Sequence, residues 1–84
     1  MTTESTTDIL SYSLSILNDA KKVNSKASHV KVWNSKAELL HVINDALEIG
    51  HFQGVARDEL LDAKSNLFQA ETIAGQKAQE TYLR

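Results

Sequence analysis

Apolar residues recur along this chain at intervals of three and four almost from end to end, the spacing that gathers them on one side of an α-helix. No segment alternates strictly enough to read as a strand. Pro is absent, and glycine occurs only as Gly50, Gly54 and Gly75, so few positions force a break. The pattern predicts an all-α fold: a three-helix bundle, or an extended helical hairpin with a long C-terminal helix. A fourth, short helix in the connection over residues 25–33 is an open option.

Residues 1–6 are rich in Thr and Ser and have nothing to bury, which predicts a disordered tail ahead of one helical domain over 7–84. A first helix is expected after an N-cap at Thr6 or Thr7, running to about Asn24 with Lys21 and Lys22 in its last turn. Its apolar line is Ile9, Tyr12, Ile16, Ala20 and Val23, widened by Leu10, Leu14 and Leu17. The tetrapeptide Asn-Ser-Lys-Ala then appears twice, at 24–27 and 34–37. In the second copy Ser35 and Glu38 have capping-box spacing, which places a second helix from Lys36 to about Phe52. The first copy lacks that Glu, and residues 26–33 are left as either a short helix or an irregular connection. Leu39, Leu40, Val42, Ile43, Ala46, Leu47 and Ile49 fall on one half of this second helix, and Glu38, His41, Asn44, Asp45 and Glu48 on the other. Gly54 is the expected turn into a third helix, Val55 to about Leu83.

At about 42 Å this third helix would outrun a second helix of about 25 Å, leaving apolar residues beyond Glu71 without an intramolecular partner. It also carries two apolar lines. One is made mainly of small residues, Ala56, Leu60, Ala63, Leu67, Ala70, Ala74 and Ala78; the other is Leu61, Phe68, Gly75 and Tyr82, spaced by seven, with Arg57, Lys64 and Glu71 between them. Overhang and double line together predict a homo-oligomer held through Leu60, Leu61, Leu67, Phe68, Ala74 and Tyr82, with Lys64 of one chain near Glu71 of another. A single wide core face with long side chains reaching out of its middle is the plainer alternative.

Composition changes this picture in two ways. With 84 residues and no Cys, the chain buries only about 60% of its unfolded surface and has no disulfide to reinforce it, which favours association with a partner. No apolar run approaches the roughly 20 residues of a membrane span, and the polar start lacks the features of a secretory signal; the expectation is a soluble cytoplasmic protein with no membrane contact. The second change comes from charge. Five of nine basic residues (Lys21, Lys22, Lys26, Lys31 and Lys36) fall in one sixteen-residue stretch without Asp or Glu, so a net charge of -2 conceals a segment of +5.

That segment, with Trp33 beside it, is the candidate binding site for a phosphate or an acidic protein partner. It contains no Arg, the residue favoured for phosphate forks, and the pI of 5.8 lies well below that of a dedicated nucleic-acid domain. A protein partner is therefore preferred over nucleic acid. Glu38-x-x-His41 and Glu48-x-x-His51 have the spacing of di-metal bundles, but they lie about 15 Å apart on one helix and on its polar half, so no metal site or cofactor is expected. No catalytic motif is present, and an enzyme is not expected. The reading is a non-catalytic binding or regulatory protein acting stoichiometrically as a homo-oligomer: an adaptor, inhibitor or assembly factor of the kind found among small phage and plasmid proteins. The alternatives are a nucleic-acid-binding regulator that uses the lysine segment, and a structural subunit of a larger assembly.

Overall fold

The computed structural model describes residues 5–83 and contains three helices: α1 (Thr6–Ala20), α2 (Lys26–Ile49) and α3 (Val55–Thr81). The protein is an all-α three-helix bundle wound up, down and up, 44 Å along its longest axis. Direction follows from the cross-links between helices. Thr6 donates to Glu59 at 3.1 Å and Asn66 donates to Ser13 at 3.0 Å, so α1 and α3 advance together in parallel. His29 of α2 meets Tyr82 while Lys36, one heptad later, meets Glu71, so α2 runs antiparallel to α3.

Each helix boundary has a local cause. The hydroxyl of Ser5 accepts from the amide of Asp8 at 3.1 Å, making Ser5 the N-cap and bringing Thr6 into the helix. This corrects the expected cap at Thr6 or Thr7. It also shortens the expected tail, because Thr6 is buried and both Thr6 and Thr7 donate to the Glu59 carboxylate. Residues 1–4 lie outside the described residues. At its other end α1 stops at Ala20 instead of Asn24. Lys22 and Val23 donate to the carbonyls three residues back, which tightens the chain into a turn and lets Val23 tuck in at 2% exposure. Lys21 and Lys22 thus stand just past the last helical turn.

The largest correction concerns the repeated tetrapeptide. Its first copy starts α2. Ser25 accepts from the amide of Ser28 at 3.2 Å, and the Ser28 hydroxyl accepts in return from the amide of Ser25 at 3.1 Å. Ser28 therefore does the work expected of a Glu at the third helical position. Once started there, nothing interrupts the helix before Gly50, and the second copy lies inside it. No separate short helix occupies 25–33. α2 ends at Ile49, short of Phe52, because Gly50 takes a left-handed conformation at φ 71°; Gly54, at φ 62° and ψ −130°, opens α3.

A second helix of about 36 Å against about 40 Å for α3 leaves no overhang. Ala70, Ala74 and Ala78 are fully buried within the chain, together with Leu60, Ala63 and Leu67. This line of mainly small residues faces the interior, and the pairing of α3 with α1 is the most extensive in the molecule. Methyl-sized side chains let the backbones of α1 and α3 approach closely, while Ile9, Ile16, Ala20, Val32, Leu39 and Ile43 complete the core from α1 and α2. Burying each large member contributes about 1.5–3 kcal/mol. Ser13, also fully buried, is satisfied by donating to the Leu10 carbonyl at 2.6 Å and accepting from Asn66. No described helix is long and apolar enough to cross a membrane.

Candidate functional site

The turn between α1 and α2 gathers most of the lysine segment at one end of the bundle. Lys21 and Lys22 follow the last turn of α1, and Lys26 and Lys31 lie in the first two turns of α2; all four are exposed. No ion pair within 4.0 Å involves any of them among the described residues. The winding of the chain places the N-termini of α1 and α3 and the C-terminus of α2 at the opposite end. There Asp8, Asp45, Glu48, Asp58, Glu59 and Asp62 outnumber Arg57, while at the lysine end Lys21, Lys22, Lys26, Lys31 and Lys77 outnumber Asp19 and Glu80. The bundle is thus charge-polarised along its length, a property of topology that the linear run of lysines does not reveal.

Lys36 departs from the other four. It enters α2 three turns from the start, on the side facing α3, and its side chain is 9% exposed. Its ammonium lies 3.6 Å from a Glu71 oxygen and 3.8 Å above the centroid of the Trp33 ring. A buried ammonium needs such compensation, and carboxylate and aromatic face supply it together. Lys36 is therefore a structural member of the bundle and leaves the candidate surface. Glu71, expected beside Lys64 of another chain, is engaged within its own.

Trp33 sits at the edge of the lysine end and is held by its neighbours. Its indole N–H donates to His29 Nε2 at 3.0 Å, one helical turn earlier. With Nε2 accepting, the neutral imidazole carries its hydrogen on Nδ1, which faces the hydroxyl of Tyr82 at the C-cap of α3. Edge-on ring contacts of His29 with Trp33 and with Tyr82 accompany these bonds. The chain Tyr82, His29, Trp33, Lys36, Glu71 crosses twice between α3 and α2. It fixes the indole in one orientation while leaving it 41% exposed.

Of the six residues expected to hold copies together, Leu60, Leu67 and Ala74 are wholly inside the chain, which corrects their assignment to a surface. Tyr82 is half-buried against His29. Only Leu61 and Phe68 remain open, at 41% and 48% exposure. Glu38, His41 and Glu48 lie on the exposed side of α2 and His51 in the turn beyond it; His41 pairs with Asp45 at 3.3 Å, and no group of three His, Cys, Asp or Glu suited to a metal ion occurs among the described residues. The capping role of Ser28 and the contact of His29 with Tyr82, a residue expected between copies, have no counterpart in the sequence reading. For the contact no signal was available, because residues fifty-three positions apart meet only through the register of α2 on α3. Compared with protein-family models, with curated proteins and with solved structures, the chain matches none.

Proposed function

We propose that this protein is a small non-catalytic binding module that acts stoichiometrically on an acidic protein partner through the lysine-bearing end of its bundle. The observation that carries the reading is the separate fate of the lysines. Lys21, Lys22, Lys26 and Lys31 stay exposed at one end, with no carboxylate within 4.0 Å among the described residues, while Lys36 alone of the five turns inward. Four uncompensated positive charges on a body that is otherwise acidic raise the local potential and attract negative surfaces. A compact ammonium suits scattered carboxylates as well as it suits phosphates, and the absence of Arg from the stretch 21–36 favours the former.

The test is binding of a disordered polyglutamate chain, followed by titration calorimetry at low salt, to the protein and to a Lys21→Glu/Lys22→Glu double variant. The expected result is binding that the double variant loses by at least tenfold. Duplex DNA supplies the rival measurement. Binding to DNA that outlasts polyglutamate binding, with an affinity falling steeply against salt according to the number of phosphates neutralised, would transfer the surface to nucleic acid. Absence of binding to both would refute any role for the lysine end.

A further inference from the structure

The groove between α2 and α3 carries apolar residues where an antiparallel helix pair facing water ordinarily carries Glu and Lys. On α2 these are Trp33, Leu40 and Leu47; on α3 they are Leu61, Phe68 and Gly75, and both sets recur every seven residues. The Lys36 to Glu71 pair fixes the register, which sets Leu40 about level with Phe68 and Leu47 about level with Leu61. Trp33, Leu61 and Phe68 are exposed, while Leu40 and Leu47 are half-buried against the core. At Gly75 an added Cβ would meet nothing within 4 Å, so the α3 line carries no side chain there and leaves open space about level with Trp33. Two apolar lines in heptad spacing, about 21 Å long from Trp33 to Leu47, have the form of a seat for another helix.

Charge decides which helix. Lys26 extends the α2 line by seven residues, and Arg57 and Lys64 lie beside the α3 line; none has an ion-pair partner within 4.0 Å among the described residues. The acid on this side of α3, Glu71, is already taken by Lys36. A second copy seated groove against groove would bring three uncompensated cations from each chain together, so self-association is the poorer match. We propose that the α2/α3 groove receives one amphipathic acidic helix from a protein partner, which packs as the fourth helix of a bundle. Its apolar residues follow the heptad spacing, a bulky one packs over the bare backbone at Gly75, and its flanking carboxylates meet Lys26, Lys64 and Arg57. This rests on the reading of an acidic partner and gives that partner a shape, and it moves the main contact from the lysine end to the groove.

The probe is a synthetic 21-residue heptad peptide with Leu at its core positions and Glu at the flanking ones, beside an otherwise identical peptide carrying Lys in place of Glu. Trp33, the only tryptophan in the chain, reports occupancy of the groove by a blue shift of its emission. The Glu peptide is expected to bind and shift the emission, and the Lys peptide to do neither. Phe68→Ser and Lys64→Glu are each expected to weaken binding at least tenfold. Both positions lie outside the core, and unchanged helical circular dichroism of each variant verifies its fold. Glu-peptide binding that Phe68→Ser leaves intact and Lys21→Glu/Lys22→Glu removes would overturn the groove while sparing the lysine end. Binding of polyglutamate but not of the heptad peptide would do the same. Groove binding that survives the lysine-end variant, with no polyglutamate binding, supports the groove and ends the earlier reading. A dimer in sedimentation equilibrium that Phe68→Ser dissociates would give the groove to a second copy and sink the proposal.

Discussion

α3 presents two apolar lines that face opposite fates. The inner line, Leu60, Ala63, Leu67, Ala70, Ala74 and Ala78, contains four alanines and is fully buried; the outer line places Leu61 and Phe68, two larger side chains, about half in solvent. Hydrophobicity alone would have ranked them the other way. The deciding quantity is where the two neighbouring helices can reach. α1 runs parallel to α3 with Asn66 hydrogen-bonded to Ser13, and such an approach is open only to a face of small side chains. α2 covers the flank of the inner line through Lys36 and His29, and the outer line lies beyond both. A domain of this size has only three helices with which to cover surface, so a second apolar face on its longest helix stays uncovered.

The contrast breaks most sharply at Leu67. Leu67→Ala should cost about 2–5 kcal/mol, because the cavity opens where three helices meet and has no easy way to collapse. For a domain of this length each kcal/mol lowers the melting temperature by about 4–8 °C, which thermal circular dichroism resolves. Ala74→Leu tests the close approach itself. If the small residues set the spacing of α1 and α3, overfilling one of them should cost about 1–3 kcal/mol although the change adds hydrophobicity; a neutral or stabilising result in urea unfolding would show that the spacing is set elsewhere. Phe68→Ser should have the smallest effect, at most about 1 kcal/mol, since half of the ring is in water in the folded chain. A loss at Phe68 equal to that at Leu67 would erase the distinction between the lines.

The all-α class and the small-residue line on α3 were legible in the sequence, because each rests on a period of three to four residues that survives local errors of a turn; bundle or hairpin, and a fourth short helix, were left open. The boundaries were less so. The two Asn-Ser-Lys-Ala copies differ in what stands at the third helical position, Ser28 in one and Glu38 in the other, and the stronger capping residue pointed to the wrong copy. Ser35 fails as a cap because a helix already under way from Ser25 carries its amides in the ladder, leaving no free N–H groups to satisfy. That single misplacement shortened the second helix, created the apparent overhang on the third, and turned core residues Leu60, Leu67 and Ala74 into an expected interface. Lys36 was misread for the same reason. At a helix start it would have been one more exposed cation, whereas three turns into α2 its position on the wheel turns it toward Glu71.

The winding of the chain has a kinetic consequence as well. Because α1 and α3 begin where α2 ends, carboxylates predominate at one pole and lysines at the other, and the protein is an elongated body with a permanent axial dipole despite a net charge of only -2. Near a negatively charged surface such a body experiences a torque before it experiences contact. At physiological salt the field is felt over roughly 8 Å, a fraction of the 44 Å length, so the torque acts in the last steps of approach and turns the lysine pole forward. The fold therefore selects an orientation of encounter, and productive collisions make up a larger share of all collisions than the small net charge would suggest.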